Sequence, residues 1–153
     1  MKEKKGPDPI DPQRSALMAR VRQRHSAPEL EVRRILRILN VPYRLHRKSL
    51  PGTPDICIPS IKSVIFVHGC FWHRHPGCKK ATTPKTRRAF WLDKFAHNVA
   101  RDTANVSAVR KLGWRPLIVW ECQCKDKEKL AARLARLLRP LRTKRAGRVT
   151  GRG

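Results

Sequence analysis

Ser63-Val-Ile-Phe-Val-His-Gly-Cys-Phe-Trp-His-Arg-His-Pro-Gly-Cys78 runs from an unbroken apolar stretch into a loop crowded with imidazoles, thiols and two adjacent aromatic rings. Residues 63–67 read as a buried strand, because no polar residue alternates with the apolar ones. Working upstream, Asp55-Ile-Cys-Ile58 reads as a short strand entered through the sharp Leu50-Pro-Gly-Thr-Pro54 loop, and the alternating residues 43–47 after Pro42 as another. Before them Ser26-Ala-Pro-Glu29 matches a capping box with proline in the first turn. Val32, Ile35, Leu36 and Leu39 then share one helical face, so a helix is expected over 27–39. Downstream, a long helical pattern spans 86–112 and stops at Gly113, a strand follows over 115–120, and a helix over 126–138 ends before Pro140. The order αβββαβα predicts a single-domain α/β fold, a mixed sheet flanked by helices.

A chain of 153 residues, 40% of them hydrophobic, builds one modest core rather than two. The domain is expected over 14–139, between a flexible N-terminal tail at 1–13 and a basic disordered tail at 140–153. Thirty-six Lys and Arg against eleven Asp and Glu give a formal net charge of +25, spread along the chain. Such a surface seeks a polyanion; a nucleic-acid backbone is favoured over a ribosomal-type role or an acidic membrane. No apolar run reaches the roughly 20 residues of a membrane span, and no signal-peptide core follows the basic N-terminus, so a cytoplasmic protein is expected. Five cysteines are an odd number, and Cys57 lies inside a strand-like run, which fits a disulfide framework poorly and reduced thiols with a metal better.

Cys70, His75 and Cys78 have C-x4-H-x2-C spacing, and either Cys122 or Cys124, after the apolar strand, completes the tetrahedron that Zn2+ prefers. Four protein ligands leave no open position, so the expected site is structural. Asp55 opens one strand beside the end of another, an arrangement by which nucleases hold Mg2+ against a phosphate; taken alone, an Asp after Pro is more often a turn residue. Asp102 falls on a helical stripe with Leu92, Phe95, Val99, Val106 and Val109. A carboxylate on a core-facing stripe requires a partner, and His73 and His68 are the candidates for a general-base pair, with a structural ion pair to Arg101 as the alternative. Phe71 and Trp72, in a loop with no evident core to fill, are candidates to wedge between base pairs, joined by Trp91 unless that ring merely anchors helix to sheet. Glu29 is explained as the capping acid and is also a candidate contact to metal-bound water. Met18 is a core residue or a minor-groove probe.

With these residues in place the chain resembles the very-short-patch-repair, or Vsr, mismatch endonucleases over about 14–138. The resemblance is carried by SLPGTPDI around Asp55, VIFVHGCFWHRH over 64–75, FWLDKFAHNVARD over 90–102 and LGWRPLIVWEC over 112–122. It implies a restriction-endonuclease-like fold of the PD-(D/E)xK type with an added zinc site, and an enzyme that nicks double-stranded DNA at T:G mismatches left by 5-methylcytosine deamination. It further implies Asp55 as the Mg2+ acid, His73 held by Asp102 as the water-activating base, and His68 as a phosphate or leaving-group contact. Cys70, His75, Cys78 and Cys122 become the zinc ligands, and Phe71, Trp72 and Trp91 the wedge with Met18 as its minor-groove partner. A monomer acting on the nucleoid, with repair-pathway partners, goes with this reading. Two departures stand out: Val67 replaces the expected threonine, leaving only its main-chain carbonyl for the magnesium site, and Pro76-Gly77 lengthens the His75-to-Cys78 interval by one residue. The other readings are a noncatalytic zinc-containing nucleic-acid-binding module, which leaves Asp55 and Asp102 without a purpose, and a related nuclease with another DNA substrate.

Overall fold

The computed structural model describes residues 24–138; Met18, both tails and the expected domain limits at 14 and 139 lie outside them. Helix α1 spans Ala27–Ile38. Ser26, extended at φ −66° and ψ 158°, accepts a hydrogen bond from Glu29 N, and Pro28 occupies the first turn, where its missing N–H is not needed. The reciprocal half of the expected capping box is displaced: Glu29 Oε2 accepts from His25 N at 2.9 Å, not from Ser26. Val32, Ile35 and Leu36 are buried as the helical period requires, and with them Glu29.

Strand β1 is only Arg44–Leu45, shorter than the expected 43–47, because His46 adopts φ 44° and breaks the extended run. Strand β2 is Ile56–Ile58 and β3 is Ser63–His68, joined by a 3-10 turn at Pro59–Ile61. Helix α2, Arg88–Lys111, crosses from β3 to the parallel strand β4, Arg115–Trp120; a second 3-10 turn, Glu121–Lys125, leads into α3, Lys127–Leu137. The sheet order is β1-β2-β3-β4, antiparallel except for the last pair.

Period-2 alternation splits the core. Ile56, Ile58, Ile65 and Val119 face α1 and α3, meeting Val32, Ile35, Leu36, Leu130 and Leu134. Cys57, Val64 and Phe66 face the other way and meet Val109 of α2, together with Leu50. The central strand β3 is therefore covered on both sides, the physical reason its sequence lacks polar alternation. The stripe on α2 is only half buried: Phe95 and Val109 are inside, whereas Leu92 and Val99 are 46% and 41% exposed. At about 1.5 Å per residue the helix outruns strands of about 3.3 Å per residue but a quarter of its residue count, so its N-terminal half projects past the sheet. Gly52, at φ 73°, brings the 50–54 loop onto α2, where a Cβ would stand 2.7 Å from the Asn105 side chain. That approach sets Asp55 opposite the middle of α2.

Candidate active site and metal centre

The antiparallel register pairs Ile56 with Ile65, so Asp55 stands just beyond the ladder, beside the last residues of β3. Val67 N–H, with no strand partner on that side, donates to Asp55 Oδ2 at 2.8 Å. A residue's N–H and C=O point to the same strand edge, so the Val67 carbonyl faces this corner too. Burial raises the Asp55 pKa, and the Val67 N–H works against that rise. Across a cavity of about 320 Å³, lined by Asp55, Val67, His68, His73 and Asp102 among others, lies the middle of α2.

Of the two imidazoles offered as partners for Asp102, His73 is the one engaged, with Nδ1 2.6 Å from Oδ2. A carboxylate can only accept here, so Nδ1 carries the proton and, in the neutral ring, Nε2 is left with a lone pair. His68 stacks on His73 instead, ring centroids 4.0 Å apart and 7° from parallel. Burial, and then the neighbouring His73 charge, pushes His68 down to about 4, so it is neutral at physiological pH and contributes an N–H rather than a cation. Glu29 also reaches the site: its buried carboxylate pairs with Arg33 and lies 2.9 Å from His46 Nε2, and Glu29, His46 and Asp55 offer ligand atoms within 4.8 Å of one another.

Cys70, His75, Cys78 and Cys122 converge, their ligand atoms likewise within 4.8 Å of one another. His75 Nδ1 is 3.7 Å from Cys70 Sγ and 3.3 Å from Cys122 Sγ, bracketing the separation of about 3.6 Å for a nitrogen and a sulfur bound tetrahedrally at roughly 2.0 and 2.3 Å. The group therefore fits one metal ion. Burial pushes the Cys70 thiol up to about 12, so a thiolate there needs a cation beside it. The Pro76-Gly77 insertion is absorbed in a tight turn, with Gly77 at φ 70° and Cys78 N donating to His75 O at 3.2 Å. Cys122 and Cys124 lie in a 3-10 turn, where residues two apart diverge by about two thirds of a circle, and this separates the two candidates. Cys124 turns inward, its thiol against Pro28 O and Trp120 O.

Phe71 and Trp72 do have ring partners. Phe71 meets Trp72, Trp91 and Phe95 edge-to-face at 5.1, 5.9 and 5.2 Å, and Lys94 Nζ lies 5.4 Å from the Trp72 ring. Phe95 is buried, while Phe71, Trp72 and Trp91 keep part of their surface at the projecting end of α2. Reading the sequence missed His46 and two groups beside the metal centre, of which Trp120 also reaches the active site. Glu121 accepts from Cys70 N and pairs with Lys80 at 2.9 Å, and Trp120 stacks on His75 at 4.3 Å with its edge 5.4 Å from His68. Only an alignment of strand ends in space reveals them; their local pattern is that of ordinary strand and turn residues.

In this strongly basic chain Asp55 at the sheet's corner and Glu29 from α1 are grouped beside the cavity that the His73–Asp102 pair faces, the arrangement of a nuclease site. The family model described as DNA mismatch endonuclease Vsr matches residues 8–80. A type II nicking enzyme of Xanthomonas oryzae pv. oryzae is 46% identical over 134 residues, covering 87% of this chain and 98% of that one. The DNA mismatch endonuclease Vsr of Escherichia coli is 43% identical over 117 residues, covering 76% and 74%. The chain belongs to the Vsr family of DNA mismatch endonucleases. A homing endonuclease catalytic domain, I-Bth0305I, superimposes with a TM-score of 0.55 at 19% identity, over 76% of this chain and 97% of that one, and shares the fold. Among the described residues no helix is long and apolar enough to cross a membrane.

Proposed function

We propose that the protein is a T:G-specific nicking enzyme, acting in the cytoplasm on double-stranded DNA at mismatches left by 5-methylcytosine deamination. The His73–Asp102 pair facing Asp55 across one cavity carries this reading, since a binding module has no use for an oriented base opposite a buried acid. Asp55 and the Val67 carbonyl are the groups that would hold Mg2+, which when bound would neutralise charge on the scissile phosphate. His73 accepts a proton from the attacking water at Nε2, while Asp102 fixes the ring and stabilises its protonated form. The water oxygen bonds to phosphorus, and the bond to the leaving sugar oxygen breaks. His68, neutral and stacked on His73, gives an N–H to the phosphate or the leaving oxygen, and Glu29 would contact the cation's coordination shell. Comparing nicking of T:G and T:A duplexes tests the function.

The second metal group is a structural Zn2+ site. Cys122→Ala is expected to lose stoichiometric zinc and Cys124→Ala to retain it, read by metal analysis of undenatured protein. Zinc retained in the first variant, or lost in the second, reverses the assignment.

Phe71, Trp72 and Trp91 form the wedge, with Met18 proposed as its minor-groove partner. Phosphate attraction is common to every duplex and cannot discriminate; a mismatched step unstacks more easily, so inserted rings meet less resistance there. Replacing Phe71 and Trp72 by alanine is expected to cost ~1–3 kcal/mol per lost stack on T:G while leaving salt-dependent background binding nearly unchanged. Titrations of T:G and T:A duplexes at fixed salt measure both. A variant that keeps the wild-type T:G over T:A ratio makes the two rings packing residues.

A further inference from the structure

We propose that His46 is a direct ligand of the active-site cation, making a nitrogen–oxygen donor set with Asp55 and Glu29 that favours Mn2+ over Mg2+. The inference rests on reading Asp55 as the cation's anchor. His46 Nε2 is completely buried and has no aligned hydrogen-bond partner, although Glu29 Oε1 is only 2.9 Å away. An Nε2–H here would miss the carboxylate and an Nε2 lone pair would repel it, whereas a cation bonded to both atoms satisfies each. With bonds of about 2.1 Å at right angles, neighbouring ligands of an octahedral cation stand about 3 Å apart, so the observed spacing suits adjacent coordination positions.

The surroundings support a cation rather than a closed ion pair. Glu29 is held by Arg33 through one carboxylate oxygen and by His25 N–H through the other, the kind of outer hydrogen bonding that orients a ligating carboxylate. Asp55, Glu29 and the Arg33 guanidinium together carry one net negative charge, with Arg24 and Arg101 lining the same cavity. The left-handed His46, at φ 44°, ends β1 and turns the ring into the cavity that Asp55 lines, while its N–H donates to Asp55 O at 3.2 Å. An imidazole in place of an oxygen ligand shifts preference along the first-row series, away from Mg2+.

The test uses the holoprotein with its thiolate site filled, and Mn2+ as the probe. Electron spin resonance is expected to show Mn2+ bound with a directly coupled nitrogen in the wild type. In His46→Gln that coupling disappears and the Mn2+ over Mg2+ preference falls about tenfold or more. Mn2+ bound without nitrogen coupling, or coupling that persists in His46→Gln, overturns the proposal while leaving the Asp55 site standing. Should His46→Gln not fold, His68→Ala and His73→Ala decide: coupling retained in both assigns the nitrogen to His46, and coupling lost in either overturns the proposal. Failure of Asp55→Asn to weaken Mn2+ binding separately overturns the underlying anchor.

Discussion

Asp55→Asn is expected to lower the nicking rate at least ~100-fold, about 2.7 kcal/mol of transition-state stabilisation, while mismatch affinity stays near wild type. The asparagine keeps an oxygen to accept from Val67 N, so the corner of the sheet survives. What it removes is the negative charge proposed to hold a divalent cation beside the phosphate. The aromatic cluster and the basic surface, to which binding is assigned in the proposal, are untouched. Single-turnover nicking and gel-shift affinity on one T:G duplex separate the two quantities. A variant that cuts at close to the wild-type rate removes Asp55 from the chemistry, and one that loses affinity in step with rate makes it a structural residue.

His73→Ala and Asp102→Asn are each expected to cut the rate by ~10²–10⁴-fold, the usual contribution of a positioned general base. The double variant is expected to be little slower than the worse single one. The reason is geometric: Asp102 reaches the reaction only through its 2.6 Å contact with His73 Nδ1, so once the imidazole is gone the carboxylate has nothing to orient. Losses that multiply in the double variant mean that Asp102 and His73 act independently. Binding measured alongside guards against a loosened α2.

Elements whose signals are local were legible in the sequence. The apolar run of β3, the Ser26 cap and the Gly113 stop each act through neighbouring residues, so the element order and mixed sheet followed from them. For Asp102 only the need was legible: a carboxylate on a helical stripe calls for a partner, but the residues left His68, His73 and Arg101 open, and the resemblance pointed to His73, which the structure engages. The stripe itself was over-read, because how far α2 projects past the sheet depends on strand lengths set by His46 and the 3-10 turns. Cys122 and Cys124 could not be told apart from spacing alone, because the 3-10 turn that separates them leaves no pattern in the sequence. His46 was invisible for a related reason, since its role depends on a left-handed backbone that closes β1 and on Glu29, seventeen residues upstream.

The central claim is that this enzyme cuts one strand at T:G and needs a divalent metal to do so. The most direct measurement is single-turnover strand cleavage of T:G and matched T:A duplexes, with the flanking bases randomised, in Mg2+ and in EDTA. The account predicts nicking of T:G in Mg2+, an intact T:A duplex over the same period, and no nicking of either in EDTA. Cleavage of T:A at the T:G rate, or T:G nicking undiminished by EDTA, contradicts it.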